Sequence, residues 1–395
     1  MRLFLVGSLL LHGVSAADSY TKIASSDCGG HDVKPQPACS GNLNHSVAVL
    51  EACCDGTTGC GGFNTHGVIK DTTCAAHANY QPTTDLYLKP VGPCDITGAA
   101  GNPCVAAHST TRALYSAYDG PLYNVTRASD NTSTNIGVLS PGGFADISTH
   151  EAFCAALDCV ISNVFDQSPM GNHLGQRHKL VNASQHKITV GGGTPVYGMW
   201  FDPGYGYHVD NTTGIATGND PESIFAVMSG DHFNDQCCFD YGNSETTDKD
   251  DGCGAMEAIY FGNAHWHGNT GAGTGPWVGA DLEQGMYYGG GNVSKVNNQS
   301  TPLPHAFVSL YLRGRTDGFA LKGGDATKGT LTTMYDGPRP THGPHCSWSK
   351  NDYQPMQKQG AIILATGGTP ARQARGAFHW CPSSFCALGC AATAT

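Results

Sequence analysis

The sequence predicts an all-β sandwich preceded by a small disulfide-stapled module, and three observations lead there. Short β-prone runs, Cys159 to Phe165, Ser223 to Met228, Ala306 to Leu312 and Ala361 to Leu364, alternate with clusters of Gly, Asn and Asp. Long amphipathic helical patterns are missing, and only Ala106 to Tyr118 reads as a helix. Six cysteines (Cys28, Cys39, Cys53, Cys54, Cys60 and Cys74) crowd the stretch 18–90. With 395 residues, 53 Gly and 13% charged residues, the chain is poorly suited to a coiled coil or a charged disordered tail. Its formal net charge of −11 disfavours nucleic acid and fits a neutral substrate.

Residues 1–17 read MRLFLVGSLLLHGVSAA: a basic residue, an apolar run from Leu3 to Leu11, then small residues before Asp18. This is the pattern of a secretory signal peptide. The run is short of the ~20 residues a membrane span needs, and no later segment is apolar enough to cross a bilayer. Secretion makes disulfides the default fate of the cysteines. It also gives meaning to seven N-x-S/T sequons, at Asn44, Asn124, Asn131, Asn182, Asn211, Asn292 and Asn298.

Residues 18–90 form the Cys-rich module. A core this small is marginal without cross-links, so up to three bridges are expected, with pairings that spacing does not decide. The stretch CGGFNTHGVIKDTTC followed by DLYLK resembles PAN/apple modules, which bind proteins or sugars; a spacer without a ligand is the alternative. Lys89 to Pro93 is a Pro/Gly hinge. The sandwich is then expected over 94–368. GGGT at 191–194 and GGGN at 289–292 read as turns.

Two segments carry chemistry. In DQCCFDYGNSE, adjacent Cys237 and Cys238 would ordinarily pair with distant partners, because a bridge between neighbours distorts the peptide bond between them. No CxxC or HxxxH pattern accompanies them, and HWH at 265–267 is more simply a surface loop, so no metal and no cofactor are expected. In GPWVGADLEQG, Asp281 and Glu283 are two apart, which in a strand puts both carboxylates on one face. Such a pair either binds something polar, does acid–base work, or lies on a solvated edge. Trp266, Tyr260, Tyr287 and Tyr288 could stack on sugar rings or fill the core.

VAAHSTTRALYSAYDGPLY (105–123), DQSPMGNHL (166–174), CCFDYGNSE (237–245), MEAIYFGN (256–263), GPWVGADLE (275–283) and GAIILATGG (360–368) together resemble the catalytic domain of glycoside hydrolase family 54, the α-L-arabinofuranosidase B type. The resemblance implies a concanavalin-like β-sandwich. It implies a retaining α-L-arabinofuranosidase that removes terminal arabinofuranosyl groups from arabinan and arabinoxylan, a secreted monomer acting on plant cell-wall polysaccharide. Carried over residue by residue, Glu283 is similar to the nucleophile and Asp281 to a sugar-binding carboxylate. Cys237 and Cys238 fall on a vicinal disulfide packed against the sugar; Cys94–Cys104 and Cys154–Cys159 fall on two further bridges. Met256, Trp266 and Gly368 fall in the arabinose pocket. In such a mechanism two carboxyl groups about 5–5.5 Å apart act as nucleophile and general acid/base.

The chain departs from this pattern at Thr369, where the family carries its acid/base Asp. A Thr hydroxyl cannot deliver a proton near neutral pH, so a loss of about 10²-fold to 10⁴-fold is expected. The tail 369–395, with Trp380, Cys381, Cys386 and Cys390, also differs in texture. A Gly codon ending in G before the ACN codon of Thr contains GAC, an Asp codon, one nucleotide upstream; a frameshift or misplaced intron boundary is therefore one explanation of the tail. Two alternatives to the hydrolase remain at this stage. One is a catalytically inactive arabinose-binding lectin, and the other is an interaction protein led by the Cys-rich module.

Overall fold

The computed structural model describes residues 20–41, 45–57, 59–71, 74, 77–78, 83–89, 91–155, 157–190, 193–233, 238–246, 252–265, 268–290, 295–340, 353–366 and 387–392. Its chain divides into two compact units, Met1–Pro90 and Val91–Thr395.

In the first unit, strands run in the order Thr21–Ile23, Leu86–Leu88, Cys60–Asn64, Ile69–Asp71, with the helix Val47–Asp55 packed on them. The helix starts where Ser46 accepts from the Val49 N–H. It ends at Gly56, whose N–H returns to the Ala52 carbonyl. The core beneath it is little more than Tyr20, Leu50, Phe63 and Ile69. Three bridges, Cys28–Cys74, Cys39–Cys53 and Cys54–Cys60, compensate for that size and settle pairings the spacing left open. Each typically contributes about 2–4 kcal/mol by restricting the unfolded chain. Lys70 is buried with its ammonium 3.0 Å from Asp27 and 2.7 Å from Asp32, so the charge is paired on both sides.

The second unit is a sandwich of two antiparallel sheets. Ten strands run in the order Met286–Tyr287, Trp277–Asp281, Glu257–Gly262, Phe239–Ser244, Ala361–Thr366, Gly206–Val209, Leu174–Gln176, Cys159–Val164, Tyr123–Arg127, Ser133–Ile136. Six run Thr332–Gly337, Gly318–Asp325, Phe307–Arg315, Glu222–Ser229, Ala387–Ala392, Cys104–His108. Alternation along Glu222–Ser229 turns Ile224, Ala226 and Met228 inward. There they meet Tyr241, Ile259, Phe261 and Val278 of the larger sheet. All four runs read as strands in the sequence are strands.

Two expectations are corrected. Ala106 to Tyr118 is not a helix: Cys104–His108 is a fully buried strand, and irregular turns follow. The Ser109 hydroxyl accepts from the N–H groups of Thr111 and Arg112, both at 3.2 Å, and Thr110 donates to the Tyr197 carbonyl at 2.9 Å. Those side chains divert backbone groups that a helix would use. Nor does the sandwich end at 368. Ala387–Ala392 lies within the smaller sheet, paired with Glu222–Ser229 on one side and Cys104–His108 on the other. The stretch 369–386 lies outside the described residues.

Several motif residues serve the scaffold. Asp166 accepts from the N–H groups of Ala107, Ser168 and Asn172, all at 2.8 Å, and so ties DQSPMGNHL to the strand Cys104–His108. Between the sheets lies a buried network of four ionisable side chains. The Lys358 ammonium is 3.1 Å from Glu222 and 3.0 Å from Glu257, and Arg339 reaches Glu257 at 2.8 Å. Asn243 adds a bond to Glu222 at 3.2 Å and another to the Ala216 carbonyl at 2.7 Å. Burial pushes Glu222 up to about 8 against the pull of Lys358. Burial opposes ionisation of Glu257 too, yet Lys358 and Arg339 together hold it below the usual carboxylate range. Lys358→Met leaves two buried carboxyl groups facing each other without their shared cation. It should cost about 3–5 kcal/mol of unfolding free energy, measured by denaturant titration. A cost under ~1 kcal/mol would show that the network is not a structural tie.

Candidate active site

The site is built on the last strands of the ten-stranded sheet. Register places Asp240, Tyr260 and Gly279 on one rung and Ala258, Asp281 and Met286 on the next. The residues between them, Tyr241, Ile259, Val278 and Ala280, fill the sandwich core, so the rung residues belong to the opposite face. That face carries its own apolar cluster of Cys238, Tyr260, Ala264, Trp277, Met286 and Tyr288. Gly279 leaves a side-chain gap between Trp277 and Asp281, which the Tyr288 ring borders at 3.1 Å from where a Cβ would stand.

Two carboxyl groups enter this apolar face, Asp240 at 6% and Asp281 at 3% exposure. Their oxygens and the Cys238 sulfur lie within 4.8 Å of one another. Cys238 is disulfide-bonded, so its sulfur is not a thiolate ligand, and two carboxylates alone are a poor donor set for a metal.

Glu283 corrects the sequence reading in detail. The strand ends at Asp281, and Glu283 lies in the following turn at φ 54°, with Gln284 at φ 62°. The side chains are therefore not placed together by the strand repeat. They are joined instead by the Glu283 N–H, which donates to the Asp281 carboxylate at 2.9 Å. Glu283 is 6% exposed. It sits two residues from a carboxylate whose oxygen is within 4.8 Å of the Cys238 sulfur. Tyr353 and Tyr287 close the far side, with Tyr353 donating to the Gln284 carbonyl and accepting from Tyr287, both at 3.0 Å. Tyr287 is pushed up to about 12, by burial first and by Asp281 last. Burial, Tyr287 and then the charges of Asp281 and Glu283 raise Tyr353. Both hydroxyls therefore remain protonated donors.

Met256 lies on the same face as Ala258 and Tyr260, 4% exposed, one residue ahead of its strand. Trp266 lies outside the described residues. On the same face the Ala264 N–H donates to the Tyr260 hydroxyl at 3.2 Å and the Ala264 carbonyl accepts from Tyr288. Cys237, Gly368 and Thr369 also lie outside the described residues, as do Cys346, Cys381 and Cys386. Thr366, two residues before Gly368, pairs with Phe239, next to Cys238. Disulfides join Cys94 to Cys104 and Cys154 to Cys159, and Cys253 is also bridged. Among the sequons, Asn131, Asn182, Asn211 and Asn298 are exposed. Asn124 is half-buried, its amide donating to Asn135 and accepting from Ser162, both at 2.6 Å. Asn44 and Asn292 are not among the described residues.

Sequence reasoning missed Asp240, Gln284 and Tyr353. Asp240 had a signal, since it follows Cys238 by two residues in a strand. Tyr353 had none, being 69 residues from the carbonyl it holds.

The chain is thus a β-sandwich protein with two buried carboxyl groups and a bridged cysteine on one sheet face. Residues 93–381 match the family model described as alpha-L-arabinofuranosidase B, catalytic. The chain belongs to that family. It is 45% identical over 306 residues to alpha-L-arabinofuranosidase B of Emericella nidulans, covering 74% of this chain and 58% of the relative. With the Aspergillus oryzae protein of the same name it shares 43% over 328 residues, 79% of this chain and 62% of the relative. The chain thus spans about three-fifths of these relatives' length. A solved arabinofuranosidase complexed with arabinofuranosyl-α-1,2-xylobiose superposes with a TM-score of 0.68 at 39% identity, over 77% of this chain and 62% of that one. A glutamate-to-glutamine variant of a family 54 enzyme, soaked with 4-nitrophenyl α-L-arabinofuranoside, superposes equally well at 40% identity.

Proposed function

We propose that this protein is a secreted α-L-arabinofuranosidase, acting on terminal arabinofuranosyl groups of arabinose-containing plant cell-wall polysaccharide by a retaining double displacement. One observation carries the reading: in a chain of this family, Glu283 is bonded through its backbone to Asp281, and an Asp281 oxygen lies within 4.8 Å of the disulfide sulfur of Cys238. The apolar face around the bridged Cys238 offers a surface for a furanose ring, and Asp281 offers acceptors for its hydroxyls. Glu283 attacks the anomeric carbon as the glycosidic C–O bond breaks and the aglycone oxygen leaves, taking a proton from solvent; water then attacks the same carbon of the arabinosyl ester, loses a proton, and releases arabinose with the Glu283 carboxylate restored. The arabinofuranosyl-xylobiose held by one structural relative supports the same substrate class here. The signal-peptide pattern and four exposed sequons support secretion.

Thr369 favours a second reading, an arabinose-binding protein that does not cleave. Nitrophenyl arabinofuranosides separate the two, because their leaving groups need little protonation. The hydrolase releases nitrophenol and gives arabinose of retained anomeric configuration by NMR at early times. Saturable binding of arabinosides with no bond cleavage overturns the hydrolase and establishes the binding protein.

A further inference from the structure

The hairpin carrying Glu283 adopts a conformation its residues do not favour. Positive φ at two consecutive turn positions is the signature of a type I′ turn, which Asn and Gly populate readily and Glu and Gln do not. With Glu283 at 54° and Gln284 at 62°, the turn persists only if its surroundings over-determine it. Among the described residues, four hydrogen bonds hold it. The Leu282 N–H donates to the Gly285 carbonyl at 3.2 Å, the Glu283 N–H donates to Asp281 at 2.9 Å, the Leu282 carbonyl accepts from the Gly254 N–H at 2.7 Å, and the Gln284 carbonyl accepts from the Tyr353 hydroxyl at 3.0 Å. Only the last depends on a single atom that substitution can delete without touching the hairpin. Tyr353 is fully buried, its ring set edge-on to Tyr287 at 5.0 Å. Its oxygen accepts from the Tyr287 hydroxyl, which orients its own proton toward Gln284.

We propose that Tyr353 is a positioning residue for the nucleophile, its hydroxyl clamping the Gln284 carbonyl so that the left-handed turn holds the Glu283 carboxylate on the anomeric carbon. This rests on the assignment of Glu283 above. Without the clamp the turn relaxes toward the ordinary φ of Glu and Gln, and the carboxylate moves off line. A displacement of about 1 Å is enough to cost about 10²-fold in rate.

The test uses an arabinofuranose-configured cyclic sulfate on the full chain. A Glu283 oxygen attacks its anomeric carbon, the carbon–oxygen bond to sulfate breaks, and the sulfate stays on the sugar, so no proton donor is needed and Thr369 does not interfere. Intact mass and peptide mapping give the rate and place of labelling. Tyr353→Phe should label Glu283 about 10-fold to 100-fold more slowly, with half-saturation within about two-fold of the parent. Tyr287→Phe, which leaves the clamp in place, should fall by no more than about three-fold. In a Gln284→Gly background, where left-handed φ at the clamped residue carries no penalty, Tyr353→Phe should cost less than in the parent. Parental labelling rates in Tyr353→Phe overturn the proposal. So do equal losses in both Phe variants that track their melting temperatures, or an undiminished effect of Tyr353→Phe in the Gln284→Gly background. If the parent labels elsewhere than Glu283, the nucleophile assignment fails and the proposal with it. A parent that labels at Glu283 with an unaffected Tyr353→Phe sinks the positioning role alone.

Discussion

Glu283→Gln should reduce turnover of nitrophenyl arabinofuranosides by about 10⁴-fold or more while leaving the protein folded. The amide has the same shape as the carboxylate but no anionic oxygen to attack the anomeric carbon. The contact that ties residue 283 to Asp281 comes from the backbone N–H and survives the change. The turn is likewise held through the carbonyls of Leu282 and Gln284, neither of which involves the substituted group. Melting of the variant should therefore match the parent within a few degrees. The smaller Glu283→Ala opens space beside the anomeric carbon, and added azide should restore turnover, giving an arabinosyl azide of inverted configuration. Azide replaces the missing nucleophile, and no second displacement follows. Residual activity above about 1% in Glu283→Gln, or azide rescue with retention, would move the nucleophile to another residue. Asp281 would be the first to examine, as the carboxylate bonded to the same turn.

Much of the scaffold was legible because strand alternation is a local property. Ile224, Ala226 and Met228 repeat at the spacing of a half-buried strand, and the structure buries that set. The helix read at Ala106 to Tyr118 shows the limit of such reading. Its Ala-rich start suits a helix by propensity, but Cys104–His108 is enclosed between another strand and the Asp166 loop, and Ser109 competes for the backbone donors that follow. The site was legible in composition and not in geometry. Asp281 and Glu283 were identified as a pair by a strand repeat, whereas the structure joins them through a backbone bond across a left-handed turn. No local pattern announces positive φ at a Glu-Gln pair, because neither residue favours it; one of the bonds that hold the turn comes from Tyr353, distant in sequence and brought near only once the sheet has formed. Asp240 is intermediate. Its spacing from Cys238 was available, but its nearness to Asp281 depends on the register through Tyr260 and Gly279.

Thr369→Asp should raise hydrolysis of arabinoxylan side chains by about 10²-fold to 10⁴-fold and leave arabinosylation by dinitrophenyl arabinofuranoside nearly unchanged. The asymmetry follows from the leaving groups. A xylosyl hydroxyl departs as a strongly basic alkoxide unless it is protonated as the bond breaks, so its expulsion depends on an acid within hydrogen-bond reach. A dinitrophenolate is stable as the anion and leaves without help. Thr offers a hydroxyl of alcohol-like acidity, which cannot meet that demand near neutral pH, whereas Asp in an apolar enclosure can hold a proton and release it. The last described residue before this position, Thr366, pairs with Phe239, the neighbour of Cys238, whose sulfur lies within 4.8 Å of an Asp281 oxygen. The gain should also appear in the second step, where the same carboxylate removes a proton from the attacking water, so dinitrophenyl substrates should show an increased steady-state rate without an increased burst rate. A cDNA sequence across codons 366–372 adds an independent reading, since a GAC frame recovered there would make Asp the native residue. If Thr369→Asp leaves arabinoxylan hydrolysis unchanged while the parent already cleaves it, another group donates the proton, and the loss inferred from Thr369 is void.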